Sequence, residues 1–340
     1  MKKIMTHYKS ISSLLLFIGI LLTSCTQEIP FDKNKEQPKL IMNAVVNATQ
    51  TNHDVFFALT NQNVPVSVTG DITLTVYVNE SKIETITGAT TDGKITFPCV
   101  LQAGDILRLE ALNTQNHQVS AESVVPEAPN GSLVLNVEDY SWTSEEVEKA
   151  GLKYVVSFDD SSPELLYYRL QSLVKIENYT LQNGIKTIIG TPEWANTILI
   201  VDDAILSDGH PRSNPDAEDY DLMGTMDYDP NLMGIFDNKR FKNSACSLSY
   251  VIATPEMQST YFGETTSSED VYTDYSATVR IQRITSEAYR YYQLLNKLKS
   301  DNYSEMINEP IEIPSNVIGG TGFVTCINEI STTLVTSKAF

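Results

Sequence analysis

Sulfur and imidazole are scarce in this chain: four cysteines and four histidines are spread through 340 residues. There is no C-x-x-C pair and no His-Glu-x-x-His, which excludes the compact zinc and zinc-peptidase motifs. Apart from Cys25, only Cys99, Cys246 and Cys326 remain, an odd set without close spacing that argues against a disulfide scaffold. Cys246 and Cys326 are candidates to pair, with small buried thiols the plainer alternative. No Gly-x-Ser-x-Gly elbow surrounds a serine, and His53, His117 and His210 stand in polar, loop-like sequence, so nucleophilic catalysis has little support. Basic residues are also short, 24 against 43 acidic ones, for a net charge of −19. A body this acidic is repelled by nucleic acid phosphates and anionic headgroups, so neither is expected as a partner. Long apolar runs are missing as well, with one exception at the start.

That exception runs from Ile11 to Leu22, behind Lys2, Lys3 and Lys9, and ends in Leu22-Thr23-Ser24-Cys25. The run is too short for a spanning helix, which needs about twenty residues, and has the plan of a secretory signal. Small residues before a cysteine are the pattern of bacterial lipoproteins. Residues 1–24 are therefore expected to be a lipoprotein signal peptide and Cys25 the lipidated first residue of the mature chain. Two or more acyl groups convert marginal membrane binding into stable attachment. Residues 25–37 are polar, without helical or strand periodicity, and read as a lipidated tether.

Alternation of period two begins beyond it. Ile72, Leu74, Val76 and Val78 share one strand face, and Leu107, Leu109 and Ala111 repeat the pattern opposite Arg108 and Glu110. Turn signals at Asn79-Glu80, Asp92-Gly93 and Gly104-Asp105 predict an immunoglobulin-like β-sandwich over residues 38–125. Pro126 to Gly131 is the expected linker. Residues 131–340 read as a larger antiparallel β-rich domain, with rows such as Tyr154, Val156, Phe158 and Ala277, Val279, Ile281. One packed helix is predicted near 287–299, with Ser286 as its cap and Tyr291, Leu294, Leu295 and Leu298 on its buried face. A minor helical turn is predicted at Thr143-Ser144-Glu145-Glu146, ending at Gly151. The fold class is thus mainly β.

Site chemistry concentrates in the acidic stretch from Asp202 to Asp237. Asp227, Asp229 and Asn231 alternate like the first ligands of an EF-hand loop and are the candidate calcium ligands. The pattern then departs from that loop, with Pro230 inside it, Leu232 in place of the glycine and Asn238 in place of the glutamate. A solvated, turn-rich loop is the competing reading. Tyr140 with Trp142, Trp194, and Tyr261 with Phe262 lie near predicted loops, where a ring can stack on a ligand. In Gly319, Gly320 and Gly322 the expectation is a tight turn that docks a terminal strand such as Phe323 to Ile327, rather than a phosphate cradle, which needs a helix start.

Several stretches carry a family resemblance. They are Pro38-Lys39-Leu40-Ile41-Met42, Phe158-Asp159-Asp160 leading to Leu166-Tyr167-Tyr168-Arg169-Leu170, the helix Ser286 to Tyr292, and above all the closing stretch Glu309 to Phe323, where four residues separate Pro310 from Ser315-Asn316 and glycines and Phe323 follow. Together they resemble the envelope lipoproteins of the domain-of-unknown-function 4249 type found in Bacteroidota. The resemblance implies an outer-membrane lipoprotein, facing the cell surface or the periplasm, encoded beside a TonB-dependent transporter. The expected function is non-enzymatic binding or accessory work with that transporter. Two alternatives stand beside it. One is a lipidated pilin or adhesin, which needs an arginine-directed cut near the N-terminus, whereas the first arginine is Arg108 inside a predicted strand. The other is a glycoside hydrolase using two carboxylates.

Overall fold

The computed structural model describes residues 38–61, 64–68, 70–89, 92–144, 146–191, 193–195, 198–210, 231–253, 271–300, 303 and 310–336. Cys25, Asp227, Asp229, Tyr261 and Phe262 lie outside the described residues. In chain order the strands are β1 (Leu40–Asn47), β2 (Asn52–Asn61), β3 (Val64–Val66), β4 (Asp71–Val78), β5 (Ser81–Ala89), β6 (Lys94–Pro98), β7 (Ile106–Asn113), β8 (Gln118–Val124), β9 (Val134–Ser144), β10 (Val147–Asp159), β11 (Tyr167–Gln182), β12 (Ile185–Gly190), β13 (Glu193–Ala195), β14 (Leu199–Ile200), β15 (Ile235–Asp237), β16 (Ala245–Ala253), β17 (Val271–Ile284) and β18 (Val324–Thr336). Helix α1 (Ser286–Lys299) lies between β17 and β18. The class is mainly β, as the alternation predicts.

Two cores organise these strands. The first is a sandwich between the sheet β5-β4-β7-β8 and a layer containing β1, β2 and β6. Ile72, Leu74 and Val76 point into it from β4 and Leu107 and Leu109 from β7, all fully buried, while Thr73, Thr75, Arg108 and Glu110 face outward. Full burial of each such side chain contributes about 2 kcal/mol. The second core lies between the sheet β14-β16-β10-β9 and the N-terminal half of β11 with the C-terminal half of β17. Tyr154, Val156 and Phe158 fill it from β10, Leu248 and Tyr250 from β16, and Ala277, Val279 and Ile281 from β17.

Both cores share one ten-stranded sheet, whose main path is β12-β11-β17-β18-β1-β2-β3. Strand β18 makes the join. Val324 to Ile327 pair in parallel with Ala44 to Asn47, the one parallel contact among the ladders described, and Ile327 to Thr336 pair antiparallel with Ile284 to Tyr275. The passage from one core to the other does fall at residues 126–131, but Val317, Val324 and Cys326 return to the first core. Residues 39–340 therefore form one compact unit rather than a sandwich followed by a separate domain. The expected linker is also pinned: Asn328 Nδ2 donates to the Pro126 carbonyl at 3.1 Å and Asn130 Nδ2 to Asp160 at 3.0 Å.

The glycine-rich approach to β18 is a close passage of backbones. A Cβ on Gly320 would overlap the Leu40 carbonyl oxygen and the Val119 side chain, and Gly322, at φ +122°, lies against the Met42 carbonyl. Bridges from Thr321 to Ile41 and from Ile318 to Ser120 hold the segment between β1 and β8. The turn docks a strand, as predicted.

Local expectations fare unevenly. Helix α1 starts one residue earlier than predicted, with Thr285 as the cap, its hydroxyl accepting from Ala288 N at 3.2 Å. Its buried side chains are Ala288, Tyr292 and Asn296, with Tyr291 and Leu295 half-buried, so the face is rotated from the one predicted. Asn296 is drawn inward because its Oδ1 accepts from Met233 N at 2.7 Å. The turn predicted at Thr143 to Gly151 is a β-hairpin instead: β9 and β10 pair from Ser144↔Val147 onward, Glu146 sits at φ +65°, and Gly151 is inside a strand. Cross-strand pairing outweighs the capping-box pattern there.

Candidate functional site

The β1–β2 hairpin forks. Its pairs run from Leu40↔Leu59 to Asn43↔Phe56 and then stop, because β1 turns to β18 while Asn52 to Phe56 stay with β6. Above the fork lies a cleft of about 570 Å³, roofed by Tyr291, Tyr292 and Leu295 of α1. The sequence builds the apolar floor through Val55-Phe56-Phe57. Adjacent apolar residues on a strand must face opposite ways, so Phe57 is buried while Phe56 is 50% exposed beside Val45, 49% exposed.

Helix α1 is fixed over this floor by three contacts. Tyr291 lies flat on Phe323, with ring centroids 4.2 Å apart and 5° between planes. The Arg169 guanidinium sits 4.6 Å above the Tyr292 ring and donates from Nε to the Met233 carbonyl at 3.2 Å. Asn43 Oδ1 accepts from Phe323 N at 2.8 Å, which anchors the base of the helix wall to β1.

The rim is polar and electrically self-contained. Among the described residues, Asn43, Gln50, Asn52 and Thr96 line it, with Asp54 as the one carboxylate. Asp54 accepts from Thr96 Oγ1 at 2.6 Å and pairs with Lys94 at 3.2 Å. These two, the threonine bond first, hold its carboxyl below the usual range. His53 is 3% exposed; its Nε2 meets the Cys99 carbonyl at 3.0 Å and its ring packs 5.2 Å from Phe97. Burial lowers its pKa and keeps it neutral.

A second cavity, of about 550 Å³, opens on the other flank of α1 between Tyr289, Gln293 and β15. Its charges are mutually paired, Lys239 with Asp237 at 2.7 Å and Arg240 with Asp208 at 3.6 Å. Of the candidate calcium ligands, Asn231 lies at its edge. Asn231 Oδ1 accepts from Ile235 N at 3.0 Å and Asn296 Nδ2 at 3.2 Å, and its Nδ2 donates to the Leu206 and Ile235 carbonyls. Its amide is thus committed to closing the turn before β15. Among the described residues no three His, Cys, Asp or Glu side chains gather as metal ligands.

Other residues named from sequence have structural work. Asp203 accepts from the backbone of Ile205, Leu206 and Ser249, and burial raises its pKa despite those bonds. Trp142 is 7% exposed and packs with Val201 and Val251. Trp194 lies on β13. His117 meets Asn113 Nδ2 at 3.0 Å. Cys99, Cys246 and Cys326 are buried and unpaired, and burial raises all three thiols, Cys326 to about 12. Phe56 and Asp54 escaped sequence reading, although the doubled Phe56-Phe57 was a usable signal, since two-fold alternation strands one of the rings outside.

What the geometry defines is a mainly β, double-sandwich protein with a helix-roofed cleft at the fork of its first hairpin. The chain belongs to the family described as Domain of unknown function (DUF4249), whose model matches residues 26–333. No curated protein matches it. Among solved structures it is similar to red sea bream transglutaminase, at 13% identity and a TM-score of 0.19, covering 89% of this chain and 32% of that one. It is also similar to a Corynebacterium diphtheriae protein described as membrane anchored, at 12% identity and a TM-score of 0.20, covering 86% of this chain and 58% of that one. The chain thus spans less than two thirds of either. Among the described residues no helix is long and apolar enough to cross a membrane.

Proposed function

We propose that this protein is a non-enzymatic binding lipoprotein, held to the outer membrane through acylated Cys25 and working as an accessory to a TonB-dependent transporter. The observation that carries the binding reading is the cleft at the β1–β2 fork. Exposed Phe56 and Val45 meet an amide-rich rim there, and the Asp54 carboxylate is already engaged by Lys94 and Thr96. A glycosidase needs two carboxylates across the scissile bond, and among the described residues this cleft presents one. Arg108 lies within β7, paired on both sides by β4 and β8, which makes it a poor site for the cut that pilin maturation requires.

The anchor and the partnership are tested together. The native protein is extracted in detergent, its N-terminal peptide weighed, and its complexes captured and identified by mass spectrometry. The expected result is an acylated Cys25 peptide and one co-captured transporter. An unmodified N-terminus upstream of Cys25, or a protein that partitions into water, overturns the anchor; capture of no transporter overturns the partnership.

A further inference from the structure

We propose that the fork cleft binds a neutral sugar ring, a proposal that rests on the binding reading above and names its ligand class. Three properties of the lining select it. The cleft presents aromatic surface from half-exposed Phe56, with Tyr291, half-buried against Phe323, along its roof, suited to the apolar face of a flat ring. Its rim offers carboxamides at Gln50 and Asn52, both exposed, which donate and accept together as hydroxyl groups do. Its charge is closed: the Asp54 carboxylate is held by Lys94, and His53 is kept neutral by burial.

An anionic ligand finds no unpaired cation among the described residues lining this cleft. A cationic ligand would have to compete with Lys94 for Asp54. An extended peptide would need a free strand edge of some length, and the fork is closed within a few residues by the turn where Gln50 N donates to the Asn47 carbonyl at 2.9 Å. Hydroxyl-rich rings match what is left, and about 570 Å³ lies within the range of small-ligand sites.

The test uses the full-length protein and hexasaccharides of α-glucan, β-glucan, xylan and mannan, read by calorimetry at low and high salt. Binding of at least one is expected, with little salt dependence because no ion pair forms. Phe56→Ala and Asn52→Ala should each weaken it by roughly tenfold, and Ile188→Ala, on the remote β12, should leave it unchanged. Circular dichroism confirms that each variant is folded. Binding to none of the four, binding that survives both cleft substitutions, or binding of unstructured peptide instead overturns the proposal. Transporter capture by the unmodified protein reads the broader function separately, so failure here is distinguishable from failure there.

Discussion

Tyr291 of α1 and Phe323, the residue just before β18, lie face to face at 4.2 Å. The ring pair couples the roof of the cleft to the strand that joins the two cores. Tyr291→Ala should therefore loosen the helix and Phe323→Ala should do more, at about 3 kcal/mol, measured by urea denaturation. A double-mutant cycle should return a coupling of about 1 kcal/mol; additive effects would show the stack to be incidental.

The passage beneath β18 tolerates no side chain. Gly320→Ala pushes a methyl group into the Leu40 carbonyl and Val119, and neither backbone can retreat without breaking the Thr321 N to Leu40 O bond of 3.0 Å. The expected outcome is loss of cooperative unfolding and rapid proteolysis. Gly184→Ala, where a Cβ meets open space but φ is +78°, should show only the milder cost of a left-handed alanine, about 1 kcal/mol.

Asp160 is buried with Arg283, and it also accepts from Tyr168 Oη at 2.8 Å and Asn130 at 3.0 Å. Arg283→Met leaves a buried carboxylate without its cation, expected to cost about 3–5 kcal/mol. Replacing both, with Asp160→Asn added, should recover part of that loss. Thermal unfolding of the three variants checks the order.

His53 makes stability pH-dependent. Burial lowers its folded pKa, while the unfolded chain titrates near 6.5. Below that value the unfolded state takes up a proton that the native state refuses, so stability is fully present above about 6.5 and falls as pH drops from there toward the folded value. His53→Gln should flatten this slope; an unchanged slope between pH 7 and 5 would assign it to other groups.

Asn231 separates a structural role from a calcium site. Its amide makes four hydrogen bonds that close the turn and tie it to α1. Asn231→Ala should cost about 2–3 kcal/mol, to the same extent with calcium and with chelator. A melting temperature that rises with calcium only in the unmodified protein would instead support a bound ion.

Alternation made the strands legible, because each sandwich buries one face and solvates the other: the rows through Ile72, Leu107, Tyr154 and Val279 can be read directly from period two. Gly319 to Gly322 announced a close passage for the same kind of local reason. The junction of the two cores was not legible, since nothing near Val324 says that its partner is Ala44. Helix phase misled because Asn296, polar in sequence, is buried by a bond to Met233 N on another segment. The cleft was hidden for a related reason. Its walls come from positions near 43, 54, 291 and 323, and only Phe56-Phe57 hinted at it locally.

The parallel pairing of Ala44 to Asn47 with Val324 to Ile327 also sets an order of events. A chain emerging N-terminus first displays Leu40, Met42 and Val46 some 280 residues before their last covering strand exists. Neither sandwich can be sealed before β18 has been delivered, so completion waits on residues 324–336, and long-range closure of this kind is slow. Removing residues from Val317 onward should cripple the first sandwich, the one most distant in sequence, as surely as the second.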